Sequence, residues 1–257
     1  MVDDGGTASP AATVDEFRGR LAVELLSQPH GGPGKARNLA AWRARGDVLV
    51  FIDDDCLAAP DFLDRLAAHL ASAPETGIGG RTVNALTENV YSSASQLVLE
   101  YLCASLEGRG TSGRFFCSNN VAFPAELFRR IGGFDETMMT GEDRDICDRW
   151  SSRGYGLRYC PDVRVRHAHA LTLTSFWTQH FNYGRGSLRF RRTSARRSGR
   201  PLTLEHPSFY VNLLRYRVAE PGGPRALTVR LLLALSQVAT AMGYATECVA
   251  EWRRRPR

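Results

Sequence analysis

The sequence has no CxxC pair. Its six cysteines, Cys56, Cys103, Cys117, Cys147, Cys160 and Cys248, form no close framework. That pattern argues against a disulfide scaffold or a zinc site and for reduced, buried thiols in a cytosolic protein. The first residues, Met-Val-Asp-Asp-Gly-Gly, lack a charged region followed by an apolar segment, so no secretory signal is expected. Residues 231–246 are uncharged, but sixteen residues that include Ser236, Gln237 and Thr240 are short for a membrane span. Flanked by Arg230 and by Arg253, Arg254 and Arg255, they read as an amphipathic helix docked on the domain, on a partner or at a membrane interface.

With 257 residues, 43% hydrophobic and 23% charged, the chain has the composition of an ordinary globular protein. It is long enough for one sizeable α/β domain with a small appendage. The net charge of +6 favours anionic partners such as nucleotide phosphates, acidic lipid or nucleic acid, without choosing among them.

The most informative stretch is Val48-Leu49-Val50-Phe51-Ile52-Asp53-Asp54-Asp55. Its apolar run reads as a strand buried on both faces, a central strand of a parallel sheet. Ligands of open α/β sheets sit beyond the carboxyl ends of the strands, where the three carboxylates fall. Clustered like charges there call for a cation, and a hard divalent metal carrying phosphate suits them. The plainer reading is a solvated acidic turn that stops a strand.

Gly31-Gly32-Pro33-Gly34 reads as a loop feeding a helix over 35–45, whose first amides, with Lys35 and Arg37, could receive a pyrophosphate. Helices are expected from Pro60 to Pro74 and over 94–106, and strands over 78–83 and 115–123. The last of these carries Asn119 and Asn120, which suit hydroxyl-rich ligands. Residues 109–113 are glycine-rich and suit a loop over a substrate. From Glu142 a helix begins in which Asp143, Ile146, Cys147 and Trp150 share one face, so Asp143 points inward while Glu142 and Asp145 point elsewhere. An inward carboxylate at a helix start is a cap or a placed base, and the helix dipole would keep it ionised. A strand over 159–166 ends in His167-Ala168-His169, two imidazoles on one side of an extended segment, as joint metal or phosphate ligands must be. A helix from Ser175 is expected to end at Gly184-Arg185-Gly186. The arginines between 189 and 200 then read as a solvated basic loop, or alternatively as an anion or acidic-lipid contact.

Taken in order, Val2-Asp3-Asp4-Gly5-Gly6, Gly32-Pro33-Gly34-Lys35-Ala36-Arg37-Asn38, Phe51-Ile52-Asp53-Asp54-Asp55, Asn119-Asn120-Val121-Ala122-Phe123, Gly132-Gly133-Phe134-Asp135-Glu136, Gly141-Glu142-Asp143 and His167-Ala168-His169 resemble a family 2 glycosyltransferase of the GT-A fold. Each motif is weak alone, and the ordered set is specific. The resemblance implies an α/β three-layer sandwich with a mostly parallel central sheet over 1–225, followed by the helix at 226–257. It implies an inverting transfer of one sugar from a nucleotide-diphosphate sugar, UDP-sugar ranked first, to an acceptor hydroxyl, lipid-linked acceptors among the options. Asp143 matches the base. Asp3, Asp4, Lys35, Arg37, Asp53 and Asp54 match the donor-nucleotide side, and Asp55, His167 and His169 match the holders of Mg²⁺ or Mn²⁺. Asn119, Asn120 and Glu142 fall to the acceptor. Cell-envelope polysaccharide, glycolipid and secondary-metabolite synthesis are the expected settings, in the cytoplasm, with peripheral membrane contact through 189–200 and 229–257.

Two departures stand out. The strand-loop-helix unit that precedes the Val-Asp-Asp-Gly turn in the family is not in the sequence, so a non-catalytic, nucleotide-sugar-binding relic is the alternative. The Gln-x-x-Arg-Trp signature of processive synthases is not evident near Gln179, which favours transfer of a single sugar. HAD-type phosphatases also place Asp-x-Asp after an apolar strand, but they want Thr or Val where Leu57 stands. An acidic cleft centre speaks against a nucleic-acid partner.

Overall fold

Two glycines lie inside a central strand because nothing larger fits. A Cβ on Gly79 would lie 2.0 Å from the Phe116 ring, and one on Gly80 would lie 2.2 Å from the Val163 carbonyl oxygen. They belong to β5 (Gly77–Asn84), which pairs with β6 (Val121–Pro124) on one side and β7 (Leu157–His167) on the other. The sheet is completed by β3 (Val48–Phe51) beyond β6 and β4 (Cys56–Ala58) beyond β7. The computed structural model from which this is drawn describes residues 1–106, 115–199, 201–202, 205–216 and 224–254. The glycine-rich stretch at 109–113 lies outside the described residues, as do Arg200 and Arg255.

The expected α/β class is present, but the sheet is mixed rather than mostly parallel. Only β5 and β7 run parallel, while β3–β6, β5–β6 and β4–β7 are antiparallel. The apolar run at 48–52 is an edge strand whose only described partner is β6, and its Val50 and Ile52 are exposed. Apolar composition alone did not separate an edge position from a central one. A bulge between Gly80 and Arg81 is clamped by Asn120, whose Nδ2 donates to the carbonyls of Arg81 and Val163, both at 3.1 Å.

Alternation along β6 sends Val121 and Phe123 to one face and Ala122 to the other. The first face packs Phe51, Phe123, Phe128, Phe134 and Trp150 beneath α2 (Pro33–Arg43), α5 (Ala125–Arg130) and α6 (Glu142–Ser152). The second packs Ile78, Val163 and Val165 against Phe62 and Leu66 of α3 (Phe62–Ser72). Asn38 ties the glycine turn to α2: its Nδ2 donates to the Phe134 carbonyl (2.9 Å) and its Oδ1 accepts from the Phe134 amide (2.8 Å). At the start of the chain, α1 (Ala11–Phe17) lies between β1 (Val2–Asp3) and β2 (Leu26–Ser27), which form a separate parallel pair.

Beyond the sheet stand α4 (Val90–Leu106), α7 (Leu173–Ser198), α8 (Pro207–Arg215) and α9 (Pro224–Arg253). Contrary to the sequence reading, α7 runs straight through Gly184 and Gly186. A Cβ on Gly184 would lie 2.0 Å from the Thr240 carbonyl oxygen of α9, and one on Gly243 would lie 1.9 Å from that of Phe181. These glycines let two backbones touch; they do not end a helix. The arginines beyond are therefore helical and largely ion-paired rather than a solvated loop. Buried Glu247 accepts from Arg185 Nε (2.9 Å) and Arg189 Nε (2.8 Å), Arg192 pairs with Glu251, and Arg197 reaches Asp145 and Asp148. Helix α9 is long and apolar enough to cross a bilayer, yet Glu247 and Gly243 seat it on α7.

Candidate active site

The acidic triplet leaves β3 and turns directly into β4, whose register with β7 sets Cys56 opposite His167. The Ala168 amide donates to the Asp55 carbonyl at 2.8 Å and locks the two strand ends together. Both imidazoles consequently face one oxygen: Asp55 Oδ2 lies 3.1 Å from His167 Nε2 and 3.2 Å from His169 Nδ1. His169 Nε2–H donates to Gln179 Oε1 at 2.9 Å, and Gln179 Nε2 donates to Ser95 Oγ and Tyr183 Oη. In the neutral ring that tautomer turns the Nδ1 lone pair toward the Asp55 carboxylate, an opposition that a cation between them relieves. Ligand atoms of Asp55, Cys56 and His167 lie within 4.8 Å of one another. Burial first, then Asp55 and Asp53, push the Cys56 thiol up to about 12. The carboxylate suits Mn²⁺ or Mg²⁺, and the two imidazoles favour Mn²⁺ of the pair, because Mg²⁺ takes oxygen ligands.

These groups open into a cavity of about 1210 Å³. Across it, α6 begins with Glu142 and Asp143, both lining the cavity. Arg37 on α2 spans the gap, donating from Nη2 to Asp53 Oδ1 (2.7 Å) and from Nη1 to Glu142 Oε1 (2.9 Å). Burial pulls the guanidinium down, but Asp53 and Glu142 outweigh it and hold Arg37 above its ordinary value. Burial and the neighbouring Asp143 push Glu142 up to about 7 against the pull of Arg37. Asp143 is raised as well, by burial, although the Arg144 amide donates to it at 2.7 Å. The helix start therefore does not hold Asp143 at a low pKa; loss of water outweighs the dipole.

The expected orientation of α6 needs a second correction. Glu142 and Asp145 are 5% and 1% exposed rather than turned to solvent, because Arg37 meets the first and Arg149 and Arg197 meet the second. Cations from distant parts of the chain neutralise these carboxylates and let them be buried.

Of the residues expected in the site, Arg37, Asp53, Asp54, Asp55, Asn119, Glu142, Asp143, His167 and His169 line one cavity. Asp3, Asp4, Lys35 and Asn120 are not among its lining residues. The Asp4 carboxylate accepts from the amides of Gly31 (2.8 Å) and Gly32 (2.9 Å) and so organises the loop that precedes α2. Asp3 accepts from the Gly6 amide at 2.9 Å within its own turn, and Lys35 is exposed. Asn120 spends its amide on the bulge. Sequence reasoning missed Gln179 and Tyr183. Their i,i+4 spacing within the expected helix from Ser175 is the signal that could have found them. It also missed Arg144, whose guanidinium lies 4.8 Å from the Phe190 ring centroid and lines the cavity.

Comparison with known proteins agrees with this arrangement. The profile of the family described as glycosyltransferase-like family 2 matches residues 1–186. The chain is 29% identical over 218 residues to a pre-mycofactocin glycosyltransferase of Mycobacterium tuberculosis, covering 80% of this chain and 43% of that protein. It is 28% identical over 196 residues to the O-antigen chain rhamnosyltransferase RfbN of Salmonella typhimurium, covering 72% and 61%. The chain thus spans about half the length of these relatives. Among solved structures, a mannosyltransferase of Pyrobaculum calidifontis in complex with GDP-Man and Mn²⁺ superposes with a TM-score of 0.58 at 19% identity, over 97% of this chain and 76% of that one. Residues 1–349 of Staphylococcus aureus TarS in complex with UDP-GlcNAc superpose with a TM-score of 0.55 at 15% identity, over 99% and 82%. The chain has the GT-A fold, and it belongs to glycosyltransferase family 2.

Proposed function

We propose that this chain transfers one sugar from a nucleotide-diphosphate sugar to an acceptor hydroxyl with inversion at the anomeric carbon. One observation carries the reading: a single cavity holds the Asp55–His167–His169 cluster and the Glu142–Asp143 pair, with Arg37 bridging their walls. Asp55, His167 and His169 would hold a divalent metal, which when bound offsets the charge of a departing nucleoside diphosphate. Arg37 fixes Asp53 against Glu142 and so holds the strand end and the helix start in one geometry. Asp143 accepts the proton of the acceptor hydroxyl, and burial, by raising its carboxyl above the ordinary carboxylate range, makes it a stronger base than a solvated carboxylate. Asp53 and Asp54 face the donor, with a UDP-sugar tested first because the notion of the donor rests on family membership. The six cysteines are all free, which suits a cytoplasmic setting. Helix α9 exposes Leu227, Leu231 and Trp252 between arginines, which suits peripheral contact with an acidic membrane surface.

The test is calorimetric titration of the chain with UDP, GDP and dTDP, each with and without Mn²⁺. The expected result is metal-dependent binding of one nucleotide, and Asp55→Ala should abolish the metal dependence. Binding by no nucleotide, or binding indifferent to both metal and Asp55, contradicts the proposal.

A further inference from the structure

Three arginines, Arg37, Arg144 and Arg191, line the cavity, and they differ in what holds them. Arg37 spends its guanidinium on Asp53 and Glu142. Arg191, on α7, reaches Glu205 just ahead of α8 at the longer distance of 3.4 Å. Arg144, near the start of α6, has neither an ion pair nor a side-chain hydrogen bond among the described residues. Its guanidinium lies against two rings instead, 5.2 Å from the Phe115 centroid and 4.8 Å from that of Phe190. Rings engage the face of a guanidinium, whereas its five N–H donors lie in the plane and point from its edge. Arg144 therefore presents a half-buried cation to the cavity with those donors unspent.

The positive charge here is also undercompensated. Burial and then Arg191 pull Arg144 below its ordinary value, and Asp143 and Glu205 do not offset them. A desolvated cation without a partner costs the fold free energy, which an incoming anion relieves. A guanidinium binds a carboxylate or a phosphate with two parallel hydrogen bonds. Position decides which substrate brings that anion. Arg144 directly follows Asp143, and its amide donates to the Asp143 carboxylate at 2.7 Å. The donor groups Asp53, Asp55 and His167 stand across the cavity at the strand ends, where Arg37 is already engaged.

We infer that Arg144, with Arg191 beside it, binds a carboxylate or phosphate carried by the acceptor close to its reacting hydroxyl. This inference rests on the proposed transfer reaction and names the class of its second substrate, a hydroxyl compound with an anionic substituent. The anion seats on the free edge of Arg144 while the hydroxyl meets Asp143, so adjacent residues of α6 set the spacing between the two groups. Hydrogen bonds to a charged group are strong enough to give at least about a tenfold preference over a neutral analogue.

The test is calorimetric titration of the full chain with glucuronate, glucose 6-phosphate and glucose, in EDTA so that no cation at Asp55 captures the charged sugars. At least one charged sugar should bind about tenfold or more tightly than glucose. Preference for glucuronate would identify a carboxylate and preference for glucose 6-phosphate a phosphate; either supports the inference. Arg144→Met should reduce the charged sugar to the level of glucose. Arg144→Lys keeps a charge on a long stem but not the planar fork, so it should weaken the charged sugar several-fold, and it serves as the test if the methionine variant does not fold. Arg153→Met, exposed just past the end of α6 and outside the cavity lining, should leave binding unchanged. No tighter binding of either charged sugar than of glucose, full affinity retained in the folded Arg144 variants, or an equal loss in Arg153→Met would overturn the inference. Titration of the same proteins with UDP, GDP and dTDP in Mn²⁺ separates the two claims. Loss of nucleotide binding in Arg144→Met would place the anion on the donor and overturn the acceptor assignment. Intact nucleotide binding without a preference for charged sugars overturns the acceptor class alone. A charge preference that depends on Arg144, without nucleotide binding, supports the anion site and contradicts the donor site.

Discussion

Arg37 Nη1 lies 2.9 Å from Glu142 Oε1, joining residues 105 positions apart, and the same guanidinium holds Asp53 at 2.7 Å. Helix α2 thereby fixes the distance between the acidic strand end and the start of α6. Removing one partner of a buried pair leaves the other charge without compensation, which costs more than the pair contributes when intact. Arg37→Met is expected to destabilise the chain by about 3 kcal/mol, read as a shift of the urea midpoint. Arg37→Lys should recover only part of this, because an ammonium cannot span both carboxylates as the planar fork does.

His180 is buried against the Phe176 ring at 4.4 Å, and its Nε2 has no hydrogen-bond partner. Burial holds its pKa down at about 4. The unfolded chain takes up this proton near pH 6.5 and the folded chain not until about pH 4, so stability is full above 6.5 and falls as pH drops through that window. The loss should reach about 3 kcal/mol. Glu142 acts in the opposite sense, because its raised pKa makes stability fall as pH rises from 4.5 to about 7. The difference between wild type and His180→Leu isolates the histidine. The variant should flatten the decline between pH 6.5 and 4 in a series of thermal melts.

Gly184 and Gly243 sit where α7 and α9 touch backbone to backbone. Alanine ordinarily favours a helix over glycine by about 1 kcal/mol. Here its methyl group would press on a carbonyl that cannot rotate away, so Gly184→Ala should instead destabilise the chain by about 1–3 kcal/mol. A rise in melting temperature would show that the helices are not packed as closely as described.

Much of the site could be read from sequence because its motifs are local. Asp53 to Asp55 follow an apolar run, His167 and His169 stand two residues apart where β7 ends, and Gly141-Glu142-Asp143 opens a helix. Each of these is fixed by neighbours a few residues away. What sequence did not reveal depends on distant partners. Glu142 and Asp145 are buried because Arg37, Arg149 and Arg197 arrive from elsewhere in the chain. Gly184 continues a helix because Thr240 lies against it. Asp4 and Asn120 fall within the segments that resemble the family, and the structure shows them organising a loop and a bulge. The mixed sheet was illegible for the same reason, since Val48–Phe51 has the composition of a central strand at the position of an edge.

The central claim is that one cavity divides its labour, with Asp55 and the histidines on the donor and Asp143 on the acceptor hydroxyl. The most direct measurement is the rate of nucleoside diphosphate release from the sugar donor whose nucleotide binds, with a panel of simple glycosides as hydroxyl acceptors, in wild type and Asp143→Asn. The account predicts a fall in kcat of roughly 10²–10⁴-fold in the variant, with nucleotide affinity and its metal dependence unchanged. Turnover by Asp143→Asn at the wild-type rate would contradict it.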